Sequence, residues 1–171
     1  VRSFNNQFIQ RKGYAYSISE VTLETRAQFA EIQSDYLMRP FEHSDTKQLV
    51  EIFMLAFGDT EEEAFDLIDF NTTDDRLQMW TAERNGQVIG TVTTRKEGDA
   101  QWITAFAVHP KFERQGIGTA ILRFVKNYAA SNGEKLVLLD VELENTQALS
   151  VYEKAGFHKS EQIDYYSFVG K

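Results

Sequence analysis

The sequence predicts an α+β domain in which a mixed, mostly antiparallel central sheet carries helices on both faces. Two observations lead to this fold class. Residues 77–108 alternate apolar and polar side chains in three segments separated by turn residues, which is typical of an antiparallel meander. Residues 101–143 then form a strand, a long amphipathic helix and a second strand, and this order implies a right-handed parallel crossover.

The N-terminal region precedes these patterns. Apolar and small residues alternate over Tyr14–Ile18, which favours a strand, and the spacing of apolar residues over Thr25–Asp35 favours a helix. We therefore expect residues 1–35 to form an extension, packed at the domain edge or against a dimer partner, or left from a preceding domain. Residues 36–171 are expected to form the main domain.

Two helices follow a short predicted strand at Leu37–Phe41. Ser44 or Asp45 can cap the first helix, and Gly58 ends it. Its apolar residues share one face: Leu49, Ile52, Phe53, Ala56 and Phe57. Thr60 and the three acidic residues after it open the second helix, because acidic side chains stabilise the positive N-terminal end of a helix.

The meander has a strong hairpin signal. Asn85-Gly86 separates the predicted strands Leu77–Glu83 and Gln87–Thr94, and this dipeptide favours a two-residue hairpin turn. Gly98-Asp99 leads into a third strand, Gln101–Val108. The chain is then expected to form an antiparallel sheet of at least these three strands.

The last third of the chain alternates helices and strands. The helix that follows Gly116 ends at Asn132-Gly133, and its apolar residues repeat at helical spacing: Ile117, Ala120, Ile121, Phe124, Val125, Tyr128 and Ala129. Lys135–Leu143 is a predicted strand and Thr146–Lys154 a short helix. We expect two further strands within Phe157–Val169.

Charge and hydropathy exclude several classes of partner. The 18 Lys and Arg residues face 26 Asp and Glu, for a formal net charge of −8. The electrostatic field of this net negative charge repels nucleic acid and anionic membranes, whereas it attracts a cationic small molecule or a basic peptide end. No apolar run approaches the roughly 20 residues that span a bilayer, and no secretory signal is present, so we expect a cytoplasmic protein with no membrane partner.

Two absences limit the chemistry. The chain has no cysteine, which excludes disulfides, thiolate metal ligands and an acyl-cysteine intermediate. The three histidines, His43, His109 and His158, lie far apart and match no metal signature, so we expect no metal.

The first motif that carries chemistry runs from Val108 to Ala120, with the sequence VHPKFERQGIGTA. Gly116 and Gly118 remove side chains where a loop becomes a helix, so the first backbone N–H groups can converge on an anion, and Arg114 adds a positive charge. The simpler interpretation is that the glycines only permit a tight turn. No Gly-Lys-Ser/Thr follows and no third glycine completes G-x-G-x-x-G, so neither nucleotide-binding loop is matched.

A second motif begins at Asn145-Thr-Gln-Ala148 and continues through Tyr152-Glu-Lys-Ala-Gly-Phe157. Together, in this order and separation, the two motifs resemble the GNAT family of N-acetyltransferases. The resemblance covers residues 37–169 and implies the acyl-CoA N-acyltransferase fold, in which the strand before the loop splays from its parallel neighbour and pantetheine inserts in the gap. One departure is Glu113, which stands where the family has Arg or Gln.

The resemblance implies that acetyl-CoA is the cosubstrate and that the chain is an N-acetyltransferase acting on a primary amine of a small molecule or peptide. The main chain of the splayed strand would bind pantetheine as an added strand does. The residues implied in cofactor binding are Phe106, Ala107, Val108, Arg114, Gln115, Gly116, Ile117, Gly118, Thr119, Ala120, Asn145 and Tyr152.

Catalysis in this family is direct attack of the amine on the thioester. Tyr152 matches the position of the family's acid, although its place on an apolar helical stripe is also explained by packing alone. Many relatives have a Glu where this chain has Ala105, so the base must be another group or water. Asp140 and Glu142, at the acidic end of a strand face, could deprotonate or attract an ammonium group, or could simply be solvated.

Several alternatives remain open from the sequence. The chain could bind acyl-CoA as a non-catalytic sensor or regulatory module, which Ala105 and Glu113 favour and Tyr152 disfavours. The donor could carry a longer acyl group, such as succinyl. The acceptor could be a polyamine, an amino sugar, an antibiotic or a protein N-terminus, and the family's frequent dimers leave a homodimer open.

Overall fold

The computed structural model describes residues 13–31 and 35–170, and within these ranges the chain forms seven strands and four α-helices. The strands are β1 (Tyr14–Arg26), β2 (Leu37–Pro40), β3 (Leu77–Arg84), β4 (Gln87–Glu97), β5 (Ala100–Val108), β6 (Leu136–Glu142) and β7 (His158–Phe168). The helices are α1 (Thr46–Phe57), α2 (Glu61–Thr73), α3 (Ile117–Ser131) and α4 (Thr146–Lys154).

The strands form one sheet in the order β2-β3-β4-β5-β6-β1-β7. β5 and β6 run parallel, and every other neighbouring pair is antiparallel. Helix α3 connects β5 to β6, as the crossover in the sequence predicts. The predicted mixed, mostly antiparallel sheet with one parallel pair is therefore confirmed.

Helices cover both faces of this sheet. Leu122 of α3 is fully buried in an apolar cluster that includes Ile89 of β4, and Phe53 of α1 is fully buried in a second cluster that includes Val88. Successive residues of a regular strand point to opposite faces, and the neighbours Met79 and Trp80 of β3 pack in the second and the first cluster, so the two clusters lie on opposite sides of the sheet. Helix α2 packs with α1, and α4 packs beside α3.

Local sequence signals account for several element boundaries. Asn85 and Gly86 have φ values of 53° and 77°, the left-handed pair that a type I′ hairpin requires. Helix α1 begins directly after Asp45, but the predicted cap is not formed by its side chain, which accepts a hydrogen bond from the Glu42 N–H instead of from the helix. Thr60 caps α2: its hydroxyl accepts a hydrogen bond from the Glu63 N–H at 3.2 Å, and the Glu63 carboxylate accepts one from the Thr60 N–H at 2.7 Å.

The helix predicted over Thr25–Asp35 is wrong for the residues that the structure describes. Its first two residues belong to β1, and residues 27–31 form no regular element. The side-chain amide of Asn127 on α3 accepts a hydrogen bond from the Ala30 N–H and donates one to the Ala30 carbonyl, both at 2.8 Å. These bonds occupy backbone groups that a helix would need. Residues 32–34 of the predicted helix lie outside the described residues.

The strand of the N-terminal extension, β1, was expected at the edge of the domain. It lies instead inside the sheet, between β6 and β7. It pairs with β6 over residues 20–26 and with β7 over residues 14–24. Two strands were predicted within Phe157–Val169, but the chain forms one strand there, β7. The 13-residue β1 pairs along the whole of β7, and two register shifts accommodate the positions where the pairing is irregular. The division of the chain at residue 36 stays a prediction.

Candidate active site

The two parallel strands separate soon after they begin. β5 and β6 pair only from Ala100 opposite Leu136 to Trp102 opposite Leu138. Beyond this last pair, a cavity of about 680 Å³ opens between the two strands. A gap between parallel neighbours at their carboxyl ends is the usual place for a ligand in sheets of this kind.

A bulge in β5 contributes to this separation. The pairing of β5 with β4 shifts register between the Thr93–Thr104 pair and the Thr91–Ala107 pair, and Ala105 within the shift has a left-handed φ of 47°. An extra residue on one strand bends it and turns its side chains to the opposite face. Phe106 consequently packs on the α3 side of the sheet.

The glycine loop reaches the cavity through its backbone. Arg114 and Gly116 have left-handed φ values of 60° and 78°. No atom lies within 4 Å of a Cβ built on Gly116, so the glycine is favoured there by its backbone conformation and not by lack of space. A Cβ on Gly118 would lie 3.3 Å from Cζ of Phe106, a tight contact from which the Phe106 ring would have to shift by a few tenths of an ångström. Helix α3 begins at Ile117, so its first N–H groups are at the cavity.

Helix α4 carries Tyr152 to the same cavity. The side chain of Asn145 caps the helix by accepting a hydrogen bond from the Ala148 N–H at 3.1 Å. The ring of Tyr152 lies 5.9 Å, between centroids, from the ring of Phe106 and 5.9 Å from that of Phe157. Burial raises the pKa of the Tyr152 phenol to about 12. Within the described residues its hydroxyl makes no hydrogen bond.

Two carboxylates of β6 line the opposite side of the cavity. Asp140 and Glu142 alternate along β6 with the buried Leu139 and Val141, so both acids are exposed on the same face. One oxygen of Asp140 accepts a hydrogen bond from the hydroxyl of Thr22 at 2.6 Å. The cavity therefore has an anionic side on β6.

The loop before α3 gives the cavity a mixed charge of its own. Arg114 lines it, together with Lys154 of α4. Glu113, the departure from the family motif, lines it as well. The cations and the N-terminus of α3 favour a bound anion, and Glu113 opposes it.

Most of the predicted site residues converge on this one cavity. Those that line it are Phe106, Ala107, Val108, Arg114, Gly116, Ile117, Gly118, Thr119, Asp140, Glu142, Asn145 and Tyr152. Gln115 and Ala120 do not line it. The Gln115 side chain faces Arg84, whose guanidinium Nη1 donates a hydrogen bond to Oε1 of Gln115 at 3.3 Å.

The site also includes residues of α1 that the two motifs did not single out. Ala56 and Phe57, at the C-terminal end of α1, line the cavity. Phe57 is 47% exposed although it belongs to the apolar face of the helix. A large apolar residue left exposed at the end of an amphipathic helix is a usable signal, but it does not say which cavity the residue borders.

A strand pair that separates around a glycine loop and a tyrosine-bearing helix is the architecture of an acyl-CoA N-acyltransferase domain. Residues 46–157 match the model of the acetyltransferase (GNAT) family. Because the match covers more than half of the sequence, the chain belongs to that family.

Two curated proteins are similar to parts of the chain. The chain is 38% identical over 80 residues to the UPF0157 protein YqkA of Bacillus subtilis, across 47% of this chain and 23% of that protein. It is 30% identical over 96 residues to the uncharacterized N-acetyltransferase MJ1207 of Methanocaldococcus jannaschii, across 50% of this chain and 41% of that protein. The chain thus covers less than half the length of either curated relative.

A solved structure shares the fold. The GCN5-related N-acetyltransferase from Sphaerobacter thermophilus superposes with a TM-score of 0.74 at 20% identity, over 96% of this chain and 55% of that one.

The described chain contains no helix long and apolar enough to cross a membrane. No three His, Asp or Glu side chains in residues 13–31 and 35–170 are grouped to hold a metal ion.

Proposed function

We propose that this chain transfers an acetyl group from acetyl-CoA to a primary amine of a small molecule or peptide. The observation that carries the proposal is that the glycine loop, Tyr152 and the carboxylates of β6 all line the same cavity. This cavity lies beyond Trp102 and Leu138. These groups have the chemistry that binding a thioester, protonating its sulfur and attracting an amine require.

The cavity fits acetyl-CoA in volume and in the groups that line it. Its volume of about 680 Å³ lies within the range of small-molecule sites. The absence of side chains at Gly116 and Gly118 leaves the first turn of α3 open to a diphosphate, which Arg114 would help to neutralise. Phe106 and Val108 would offer main-chain groups to pantetheine. Acetyl-CoA would supply the activated acyl group, as a thioester.

Tyr152 is the proposed acid. The amine nitrogen forms a bond to the acyl carbon as the carbon–sulfur bond breaks, and the Tyr152 hydroxyl donates its proton to the departing sulfur. The pKa of about 12 keeps the phenol protonated at neutral pH, and its hydroxyl has no competing hydrogen bond within the described residues. The raised pKa keeps the proton on the phenol but makes it a weaker acid, so the support for the role is the availability of the proton and a hydroxyl free to contact the sulfur.

Asp140 and Glu142 are the proposed amine-binding groups and candidate bases. Both are exposed and both line the cavity. A primary amine is mostly an ammonium ion near neutral pH, so it is attracted to carboxylates and must lose a proton before attack. The acceptor is therefore proposed to be cationic, and its proton passes to one of these carboxylates or to water.

The test is release of free thiol from acetyl-CoA against a panel of amines: a polyamine, an amino sugar, an aminoglycoside and a peptide with a free N-terminus. Wild type is compared with Tyr152→Phe, and Tyr128→Phe is the matched control. Tyr128 packs on Trp80 at 4.9 Å and does not line the cavity. We expect amine-dependent release that falls about 100-fold or more in Tyr152→Phe and is unchanged in Tyr128→Phe.

A second function has one observation in its favour. Ala105, which carries no titratable group, lines the cavity where many relatives have a glutamate. Acetyl-CoA binding measured by calorimetry, without turnover on any amine of the panel, would replace transfer by acyl-CoA sensing. No binding would exclude both functions. Succinyl-CoA run beside acetyl-CoA tests the donor, for which we expect the smaller, uncharged acyl group to be preferred.

A further inference from the structure

Strand β1 lies outside the residues that match the family model, yet it is the immediate neighbour of the strand that carries the carboxylates. In the antiparallel pairing of β1 with β6, Thr22 is opposite Asp140 and Glu20 is opposite Glu142. Val21 and Leu23, on either side of Thr22, are buried in the core on the α3 side of the sheet. Thr22 therefore points to the opposite, open face, where Asp140 is exposed.

The contact between Thr22 and Asp140 is short and directional. The Thr22 hydroxyl donates to Oδ1 of Asp140 at 2.6 Å, and the two residues are 118 positions apart in sequence. No other hydrogen bond or ion pair of the Asp140 side chain is found within the described part of the chain, so Oδ2 has no partner there. An exposed aspartate without such a bond would exchange between rotamers. The side chain of Thr22 is β-branched and therefore restricted at χ1, which limits the positions of its hydroxyl.

The neighbouring carboxylate is not held in this way. Glu142 makes no side-chain hydrogen bond or ion pair within residues 13–31 and 35–170. Asp140 is also nearer to the point where β5 and β6 separate, since it is the second residue after Leu138 and Glu142 is the fourth. Of the two carboxylates in the cavity, Asp140 is thus the one with a fixed orientation close to the start of the gap.

We propose that Thr22 is a positioning residue for acetyl transfer, because it orients Asp140 so that the free oxygen Oδ2 accepts a hydrogen bond from the acceptor's ammonium group. This inference rests on the proposed function of the cavity. Thr22 does not line the cavity and acts only through Asp140. Glu20, opposite Glu142, adds a negative charge on the neighbouring strand. The acceptor side of the site is therefore built jointly by β6 and by the N-terminal strand.

The test uses four substitutions in the full chain, one of them as a background for Thr22→Val, with steady-state kinetics on the best amine of the panel. Thr22→Val removes the hydroxyl and keeps the side-chain shape, and Thr22→Ser keeps the hydroxyl. Tyr16→Phe is the matched control: it removes another 2.6 Å hydroxyl–carboxylate bond made by β1, to Glu144, which does not line the cavity. Circular dichroism and thermal melting check that each variant folds.

We expect Thr22→Val to raise the KM for the amine about tenfold and to leave the KM for acetyl-CoA unchanged. Thr22→Ser should recover most of the loss, and Tyr16→Phe should resemble wild type. The effect of Thr22→Val should also vanish in an Asp140→Ala background, which removes the acceptor of the Thr22 hydroxyl, as coupled residues require.

Three results would overturn the positioning role while leaving acetyl transfer intact: an unchanged amine KM in Thr22→Val, an equal rise in the KM for acetyl-CoA, or the same rise in Tyr16→Phe. Absence of turnover in wild type, in contrast, would overturn the proposed function and this role together.

Discussion

Trp102 of β5 and Leu138 of β6 form the last parallel pair between their strands, and the cavity begins directly beyond them. The bulge at Ala105, three residues further along β5, bends the strand and contributes to its separation from β6. The separation is therefore a feature of the β5 backbone. Binding can then be tested apart from catalysis.

Gly116→Ala should weaken acetyl-CoA binding. Gly116 has a φ of 78° and free space around its Cβ position, so alanine would be strained by about 1 kcal/mol, and relief of that strain would move the first N–H groups of α3. Gly133→Ala is the matched control, because Gly133 has a φ of 77° and equal free space at the other end of α3. Calorimetry should show lower affinity only for Gly116→Ala, and thermal melting should show similar destabilisation in both. Equal affinities would contradict the role of the loop.

The pH dependence of kcat should reveal the raised pKa of Tyr152. A tyrosine in water is half ionised near pH 10, whereas the pKa of about 12 keeps the Tyr152 phenol protonated there. A raised pKa extends the acid form to higher pH, so we expect no loss of kcat from this group up to about pH 10 at saturating amine. A decline of kcat centred near pH 10 in wild type, and missing in Tyr152→Phe, would contradict the raised pKa of Tyr152.

Asn145→Ala should affect both stability and activity. Loss of the cap bond to the Ala148 N–H should cost about 1 kcal/mol and fray the first turn of the helix that carries Tyr152. Thr60→Ala removes the equivalent cap of α2, away from the cavity. Urea unfolding should show similar losses for the two variants, while kcat/KM should fall only in Asn145→Ala. If kcat/KM fell equally in Thr60→Ala, the effect would be one of global stability.

The parts of the fold that follow from local signals were predictable from the sequence. Asn85-Gly86 specifies its hairpin by backbone preference alone, and the cap at Thr60 needs only residues three positions apart. Most of the cavity was also predictable, because the two family motifs carry the loop and the helix that border it. Gln115 and Ala120 were included through the motif but do not reach the cavity.

The parts that depend on distant contacts were not predictable. The apolar spacing after Thr25 indicates a helix, but Asn127, on α3, binds the backbone of Ala30 instead. Alternation identifies β1 as a strand without naming its partners, so its place between β6 and β7 could not be read from the pattern. The contact of Thr22 with Asp140 depends on that placement.

The ion pair of Arg39 and Asp45 should make stability depend on acid pH. Both guanidinium Nη atoms donate to the Asp45 carboxylate at 2.8 Å, and Oδ2 also accepts the Glu42 N–H. Burial alone would raise the pKa of Asp45, but these hydrogen bonds outweigh it and hold the pKa below its usual value. A depressed folded-state pKa contributes stability above the unfolded-state pKa, and that stability is lost as the pH falls through the folded-state value.

Arg39→Met should therefore destabilise the protein strongly near neutral pH, by about 3 kcal/mol, because it leaves the buried Asp45 carboxylate and the partly exposed Glu83 carboxylate without their cation. The loss should shrink at about pH 3, where Asp45 in the variant becomes protonated and no longer carries a buried charge. Asp45→Asn should flatten the acid dependence of wild type. Urea unfolding at the two pH values measures both effects. A loss in Arg39→Met that is independent of pH would mean that Arg39 stabilises the fold by packing, since packing does not titrate.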